Sequence, residues 1–324
     1  MLGVVEMKNH IKSAAKWAYH TTDQIVSKLA EKNYHTARAY YMYQLDLSAR
    51  RCKESPLIIY QVGKVGSSTI HHSLGILGLD LPIYHVHFLT PELIDEYVEK
   101  RKKFLGTEKY GRLQHIWLYQ YLRKQIDSGL KGKRWKIVTL TREPIGRNIS
   151  EFFETIEVKP LDAGSRYLVT SDPDFCDFEI EVDVADLNDL AQVFLSKIDH
   201  DAPLRFFDQE LKQVFGVDVF STEFPISTGY KVYEGEQVDV LLIRLENLRD
   251  CASDAFKKFL STEEFTLANA NVGSDKAYAP LYRKFRDSIV LPESYVDRMY
   301  TSKYMQHFYS AEEIAAFRAK WRIS

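Results

Sequence analysis

Leu57-Ile58-Ile59-Tyr60-Gln61-Val62-Gly63-Lys64-Val65-Gly66-Ser67-Ser68-Thr69-Ile70 is the stretch that decides the fold. Leu57 to Gln61 is a short apolar run of strand length, and a turn rich in glycine and serine follows at once. Ile70, Leu74, Leu77 and Leu79 then continue in helical register. Strand, tight glycine turn and helix in that order open an α/β unit.

Working outward, Pro82 to His87 predicts a second strand, followed by charged helical segments at about 91–104 and 112–129. Trp135 to Thr141 predicts a third strand, running into Arg142-Glu143-Pro144, where proline suits the first turn of a new helix. Val238 to Leu245 is apolar, Asp239 apart, until Arg244 and predicts a central fourth strand. Strands alternating with helices imply a parallel sheet covered on both faces. Roughly the last 70 residues, rich in Tyr and Phe, read as helical and close with Ala311 to Trp321. Upstream, residues 1–50 read as helical, with Ile11, Ala14, Ala15, Ala18 and Ile25 at helical spacing. Arg50 to Pro56 is a polar stretch broken by proline. The expected organisation is a helical N-terminal extension over residues 1–55 and an α/β domain over 56–324.

The formal net charge of −2 gives no whole-molecule attraction to nucleic acid or acidic membrane, so any anion must be bound by local groups. Cys52, Cys176 and Cys251 form neither a CxxC spacing nor an even set, which favours a reducing compartment and predicts no metal. The apolar run before Glu6 and Lys8 is too short for a signal peptide, and no stretch approaches the ~18 apolar residues of a membrane span. A cytoplasmic protein is expected. Lys8, Lys12 and Lys16 share one helical face, which is either a solvated face or a contact with the inner membrane surface or a partner. The oligomeric state is not legible in the sequence.

The turn from Val62 to Thr69 has the parts of a phosphate-binding loop. Glycines let the backbone approach an anion, N–H groups at a helix start point at it, and Lys64 adds a cation. Ser67, Ser68 and Thr69 add hydroxyl donors. It is not a Walker A motif, because Ser67 stands where that motif needs lysine. Arg142 falls at the end of the third strand, where ligands of open parallel sheets bind, and Ser150 lies eight residues on. Arg142 can grip a second phosphate, or simply pair with Glu143 or Glu151.

Taken together, Val62-Gly63-Lys64-Val65-Gly66-Ser67-Ser68-Thr69 resembles the 5′-phosphosulfate loop of sulfotransferases that use PAPS, 3′-phosphoadenosine 5′-phosphosulfate. Thr141 to Ser150 resembles their 3′-phosphate segment, with arginine and serine at the family spacing. Leu245-Glu246-Asn247-Leu248 and the tail around Tyr304, His307, Phe308 and Tyr309 resemble later segments of these enzymes. The resemblance spans about 57 to 315 and is closest to carbohydrate sulfotransferases and to bacterial capsular polysaccharide synthesis proteins. It implies the P-loop-like sulfotransferase fold, with PAPS as co-substrate and no metal. Lys64, Val65, Gly66, Ser67, Ser68 and Thr69 would hold the phosphosulfate, and Arg142 with Ser150 the 3′-phosphate. The acceptor would be a hydroxyl of a carbohydrate or polysaccharide. Where cytosolic members carry two threonines and a tryptophan, this chain has Ser67, Ser68 and Thr69.

Sulfuryl transfer needs a base for the acceptor proton and cations for the charge on the bridging oxygen. His85 and His87 lie two apart on the second strand and so face one side of the sheet. Tyr84-His85-Val86-His87 resembles the catalytic-histidine segment of uronyl 2-O-sulfotransferases. His87, nearer the strand end, is the expected base, with His85 beside it and Lys64 as the catalytic cation. Packing histidines would account for the same pattern, and Glu92 is the alternative base. His71 and His72, adjacent on a helix, point about 100° apart and read as surface or packing positions. Arg147 and Lys276 are further candidates for ligand contact. A P-loop phosphotransferase and a non-catalytic nucleotide-binding protein are the alternative classes.

Overall fold

Pairing Leu57–Tyr60 (β1) in parallel with both Ile83–Val86 (β2) and Trp135–Thr141 (β3) creates the core of the sheet. Trp135–Thr141 in turn pairs in parallel with Val238–Arg244 (β8), and that strand pairs antiparallel with Tyr230–Glu234 (β7). The order is β2-β1-β3-β8-β7. This computed structural model describes residues 33–52, 54–102, 113–162, 165–171, 178–268 and 278–324. Lys8, Lys12, Lys16, Cys176 and Lys276 lie outside the described residues.

The chain divides into two compact units, residues 1–53 with 91–129 and residues 54–90 with 130–324. The first therefore takes in residues 91–129 as well as the N-terminal segment. Its described part is three helices, Tyr34–Arg51, Pro91–Lys102 and Leu113–Asp127. Asn33 caps the first by accepting from the N–H groups of His35 and Thr36. Trp117 is the centre of their packing, set edge-on to Tyr34 and beside Tyr41, with Ala37, Leu113 and Ile116 around it.

The second unit is a mixed α/β body with a largely parallel central sheet flanked by helices. The helices that position the site are Ser67–Leu77 (α1), Pro144–Glu154 (α2), Asn188–Lys197 (α3), Leu248–Leu260 (α4) and Ala279–Ser288 (α5). Three more close the chain: Glu293–Tyr300 (α6), Lys303–Phe308 (α7) and Ala311–Arg318 (α8). Alternate strand residues Leu57, Ile59, Val138, Leu140, Leu241 and Ile243 pack under α1 and α4. The other set, Ile58, Tyr60, Ile137, Val240 and Leu242, is fully buried as well. Burial on both faces is why these strands read as continuous apolar runs rather than alternating ones.

Two parts of the sheet differ from the sequence expectation. β7 is antiparallel because Gly235 closes a tight hairpin to β8, its N–H donating to the Val238 carbonyl at 2.8 Å. A separate three-stranded antiparallel sheet, Ile156–Pro160 (β4), Arg166–Ser171 (β5) and Glu179–Asp183 (β6), was not expected. Its strands carry exposed charges on one face and bury Ile156, Tyr167, Val169 and Val182 on the other.

His200 is buried beneath α2 and stays neutral by geometry. Its Nε2 donates to the Phe194 carbonyl at 2.9 Å, and its Nδ1 accepts from the Tyr295 hydroxyl at 3.0 Å. Burial pushes its pKa below the ordinary 6.5, as it does for His87 and His307. The unfolded chain then binds more protons than the folded one as pH drops through 6.5, so stability rises with pH in that window. The loss on acidification continues until the lowered folded values are passed, at no more than about 1.4 kcal/mol per pH unit for each histidine. Glu143, raised by burial from 4.5, acts with the opposite sign. Urea midpoints should therefore fall between pH 7 and 5.5, and the His200→Gln variant should show a shallower slope. An unchanged slope in that variant would remove His200 as a contributor.

Candidate functional site

The strand order reverses at β1: the chain leaves β1 for β2 on one side and returns for β3 on the other. In open α/β sheets such a switch point is where ligands bind, beyond the carboxyl ends of the strands. β1 ends in the glycine loop and β3 ends in Arg142, so the two sequence signals flank the same crevice.

The loop is shaped by two left-handed residues, Lys64 at φ 67° and Gly66 at φ 98°. Gly66 is required twice over. Its φ suits glycine, and a Cβ there would sit 2.7 Å from Leu245 Cδ1. Gly66 is also the N-cap of α1 and has no side chain with which to cap it. That is the arrangement that receives an anion at a helix start. Val65 contributes backbone alone, since its side chain is fully buried in the core with Ile70 and Leu74. Ser67 is buried, Ser68 exposed and Thr69 half-buried.

Arg142 Nη1 donates to the Lys64 carbonyl at 2.9 Å, and among the described residues no carboxylate pairs with it. The rest of its five-donor fork is available to a ligand. The expected alternative, a pair with Glu143 or Glu151, is thus not made. Glu143 instead caps α2, accepting from the N–H groups of Ile145 and Gly146 at 2.8 and 2.7 Å and from the Tyr300 hydroxyl at 2.8 Å. Ser150 is half-buried two turns along the same helix.

Lys64 Nζ meets Glu154 Oε2 at 3.1 Å, and the Tyr278 hydroxyl donates to the same oxygen at 2.9 Å. Arg147 is only 3% exposed. Its Nε donates to the Gly63 carbonyl at 2.9 Å, its Nη1 to Asn148 Oδ1 at 3.0 Å, and its Nη2 pairs with Glu151 at 3.4 Å. Arg147 therefore grips the loop rather than standing free for a ligand. Burial pushes its pKa down, opposed mainly by the Glu151 carboxylate.

His85 and His87 do share a face. Their ring centroids lie 4.8 Å apart, and His71 of α1 stacks on His85 at 6.1 Å. His87 Nδ1 lies 2.9 Å from the Gln61 carbonyl. A carbonyl only accepts, so Nδ1 carries the proton and Nε2 keeps its lone pair. Burial lowers the His87 pKa, while the Gln61 carbonyl and the Glu151 carboxylate push it upward and Arg147 lowers it further. A neutral imidazole with Nε2 as acceptor is the form a general base needs. Glu92 belongs to the first unit, exposed in the first turn of its helix. Among the described residues no group of His, Cys, Asp and Glu is arranged to hold a metal, and no helix is long and apolar enough to cross a membrane.

The strand end carrying Arg142 is locked by Tyr304, which the sequence showed only as part of an aromatic tail. Its hydroxyl takes the Thr141 hydroxyl as donor, accepts from the Arg142 N–H at 2.9 Å and donates to the Arg142 carbonyl at 2.9 Å. Glu151 and Glu154 were also missed as loop partners. Their one signal was helical spacing from Arg147, which puts Glu151 one turn beyond it.

These elements define a mixed α/β protein in which the glycine loop, Arg142 and a histidine pair stand at the topological switch point of a largely parallel sheet. A family model described as "Putative capsular polysaccharide synthesis protein" matches residues 177–310. Over that span, less than half of the chain, the chain is similar to that family, and the span includes β8 and Tyr304 but neither the glycine loop nor Arg142. No curated protein and no solved structure matches the chain.

Removing the Tyr304 hydroxyl leaves buried groups of Thr141 and Arg142 without their partner. The Tyr304→Phe variant should lose about 1–3 kcal/mol in urea unfolding. A loss within 0.5 kcal/mol, roughly the size of a surface change, would mean that this hydroxyl does not hold the strand end.

Proposed function

We propose that the chain is a sulfotransferase that moves a sulfuryl group from PAPS to a hydroxyl of a glycan. The observation that carries this reading is that the glycine loop and Arg142 leave adjacent parallel strands at the switch point and are joined by the bond from Arg142 to the Lys64 carbonyl. A donor with phosphates at both ends of a ribose suits two anion sites so spaced. The uncapped α1 N-terminus, Lys64 and the hydroxyls of Ser68 and Thr69 face the 5′-phosphosulfate, and the free donors of Arg142 with Ser150 face the 3′-phosphate. The similarity to a polysaccharide synthesis family supports a carbohydrate acceptor.

In the reaction, the acceptor oxygen forms a bond to sulfur as its proton passes to His87 Nε2. The bond from sulfur to the bridging phosphate oxygen breaks, and its electron pair stays on the 5′-phosphate of the leaving nucleotide, PAP. Lys64 and the α1 N–H groups stabilise that developing charge, which is the larger electrostatic task in such a transfer. His85 orients His87 by packing against its ring. The proposed place of work is the cytoplasm or the inner membrane face.

Calorimetry with PAP against ATP plus magnesium tests the class. Tight binding of PAP alone is the expected result; ATP with magnesium would make the chain a phosphotransferase, and binding of neither would leave no nucleotide enzyme. Arg142→Ala should weaken PAP binding by on the order of 2–3 kcal/mol, the size of a lost charge-assisted bidentate contact. Wild-type affinity in that variant would detach the second motif from the donor.

For the base, His87→Ala should cut turnover by roughly 10²–10⁴ with PAP affinity nearly intact. Because burial holds the His87 pKa below 6.5, the acid limb of the rate profile should lie below that value. Retention of near-normal turnover by this variant, with the acid limb unmoved, would transfer the role to His85 or Glu92.

A further inference from the structure

The turn at the heart of the loop is centred on Gly63 and Lys64, and only the second of these has positive φ. A positive φ at that position of a turn normally calls for glycine. Type I and type II turns differ chiefly in which way the central peptide faces. Here that peptide joins Gly63 to Lys64, and a lysine holds the left-handed position at φ 67°. Something must stabilise this choice against the relaxed alternative with Lys64 at negative φ.

Arg147 is that group. Its Nε donates to the Gly63 carbonyl at 2.9 Å, from a side chain 3% exposed and braced by Asn148 Oδ1 at 3.0 Å and Glu151 at 3.4 Å. Asn148 is itself tied down, donating to the His200 carbonyl at 3.0 Å. The peptide is trans, so its C=O and N–H point in opposite directions. Holding the Gly63 carbonyl on α2 therefore turns the Lys64 N–H away from α2. A left-handed residue after a residue of negative φ gathers successive N–H groups into an anion-binding concavity.

We propose that Arg147 is a positioning residue that fixes the Gly63–Lys64 peptide with its N–H toward the donor's 5′-phosphate. This rests on the donor assignment made above. Arg147 acts through the backbone and does not touch the nucleotide, whereas Arg142 both bonds to the Lys64 carbonyl and keeps donors for the 3′-phosphate. A lysine at 147 keeps the charge but lacks the planar fork that reaches three acceptors at once.

Glycine labelled with ¹³C at the carbonyl and lysine labelled with ¹⁵N give signals from only two peptides in the chain, Gly63–Lys64 and Gly132–Lys133. The second is an internal control and reports that each variant is folded. In Arg147→Lys and Arg147→Met the Lys64 amide should move in the free protein while that of Lys133 stays. Affinity for PAP should fall at least tenfold, and affinity for adenosine 3′-monophosphate, which lacks the 5′-phosphate, should hold within twofold. Equal losses for the two nucleotides would make Arg147 a general structural residue and overturn the proposal. So would unchanged PAP affinity with an unmoved Lys64 signal. Should neither variant fold, the wild-type Gly63 carbonyl decides: a downfield shift relative to Gly132 supports a charge-assisted bond, and a coil-like shift removes it. Failure of wild type to bind PAP at all would sink the donor assignment instead, leaving the clamp to be judged on the free-protein signals.

Discussion

A polar backbone or side-chain group buried at the end of a strand must find a partner, and at the carboxyl ends of β3 and β8 those partners come from the last helices of the chain. The Tyr304 hydroxyl of α7 takes up three groups around Thr141 and Arg142. Glu246, just past β8, accepts from the Glu143 N–H at 2.8 Å and from the Tyr309 hydroxyl at 3.1 Å. Tyr300 of α6 completes Glu143, whose carboxylate is already the cap of α2. Arg244, 1% exposed at the end of β8, pairs with Glu313 of α8 and lies over the Tyr309 ring at 4.5 Å. The buried Glu143, the more exposed carboxylates of Glu246 and Glu313, the buried Arg244 and three tyrosine hydroxyls thus form one connected arrangement. Breaking a link to Glu143, Arg244 or Thr141 leaves a buried polar group without its partner.

That arrangement fixes the start of α2, and through α2 it fixes the crevice. Glu143 sets where the helix begins, so Arg147 and Glu151, one and two turns on, arrive beside Gly63. A Cβ at Gly63 would stand 3.0 Å from Glu151 Oε2, which shows how closely the loop is pressed onto the helix. The similarity to the family model over 177–310 falls on β8 and on α6 and α7 but stops before α8. The matched region is therefore the one that holds the crevice in shape, while the loop and Arg142 that line it lie outside the match.

The sequence was most legible where one element answers to one constraint. Trp135–Thr141 is a seven-residue strand with the bounds read from the sequence, because burial on both faces fills it with apolar and small hydroxyl side chains apart from Lys136 near its start. Proline at 144 marked the start of α2 for the same kind of local reason. The glycine turn was legible as a turn, but its conformation was not. Nothing local announces that lysine rather than glycine takes a left-handed position, since the carbonyl bond that holds it comes from a residue more than eighty positions away. Arg147 looked like a ligand contact because burial cannot be seen in a charged residue type. The grouping of residues 91–129 with the N-terminal helix was hidden likewise, as it depends on Trp117 meeting Tyr34 and Tyr41 across long sequence separation. The antiparallel β7 and the sheet of β4 to β6 rest on hairpin pairings whose strands are short and rich in charge, a composition that periodicity reads poorly.

Charge makes the same point about selectivity. Lys64, Arg142 and Arg147 gather at the switch point of a chain whose net charge is −2, yet Glu151 and Glu154 stand among them. Summed, the crevice is far less positive than a count of its cations suggests, so long-range attraction of an anion is weak. On the donor reading proposed above, binding comes from short-range, directed donors: the N–H groups at the start of α1, the remaining fork of Arg142 and the turned peptide at Lys64. Such donors favour an oxyanion of the right shape over any anion of equal charge, because a misplaced oxygen forfeits the bonds while still losing its water. The two glutamates sharpen that preference. With Lys64 held 3.1 Å from Glu154, an incoming anion competes with a carboxylate for the same ammonium, and only one that also satisfies the backbone donors wins the exchange.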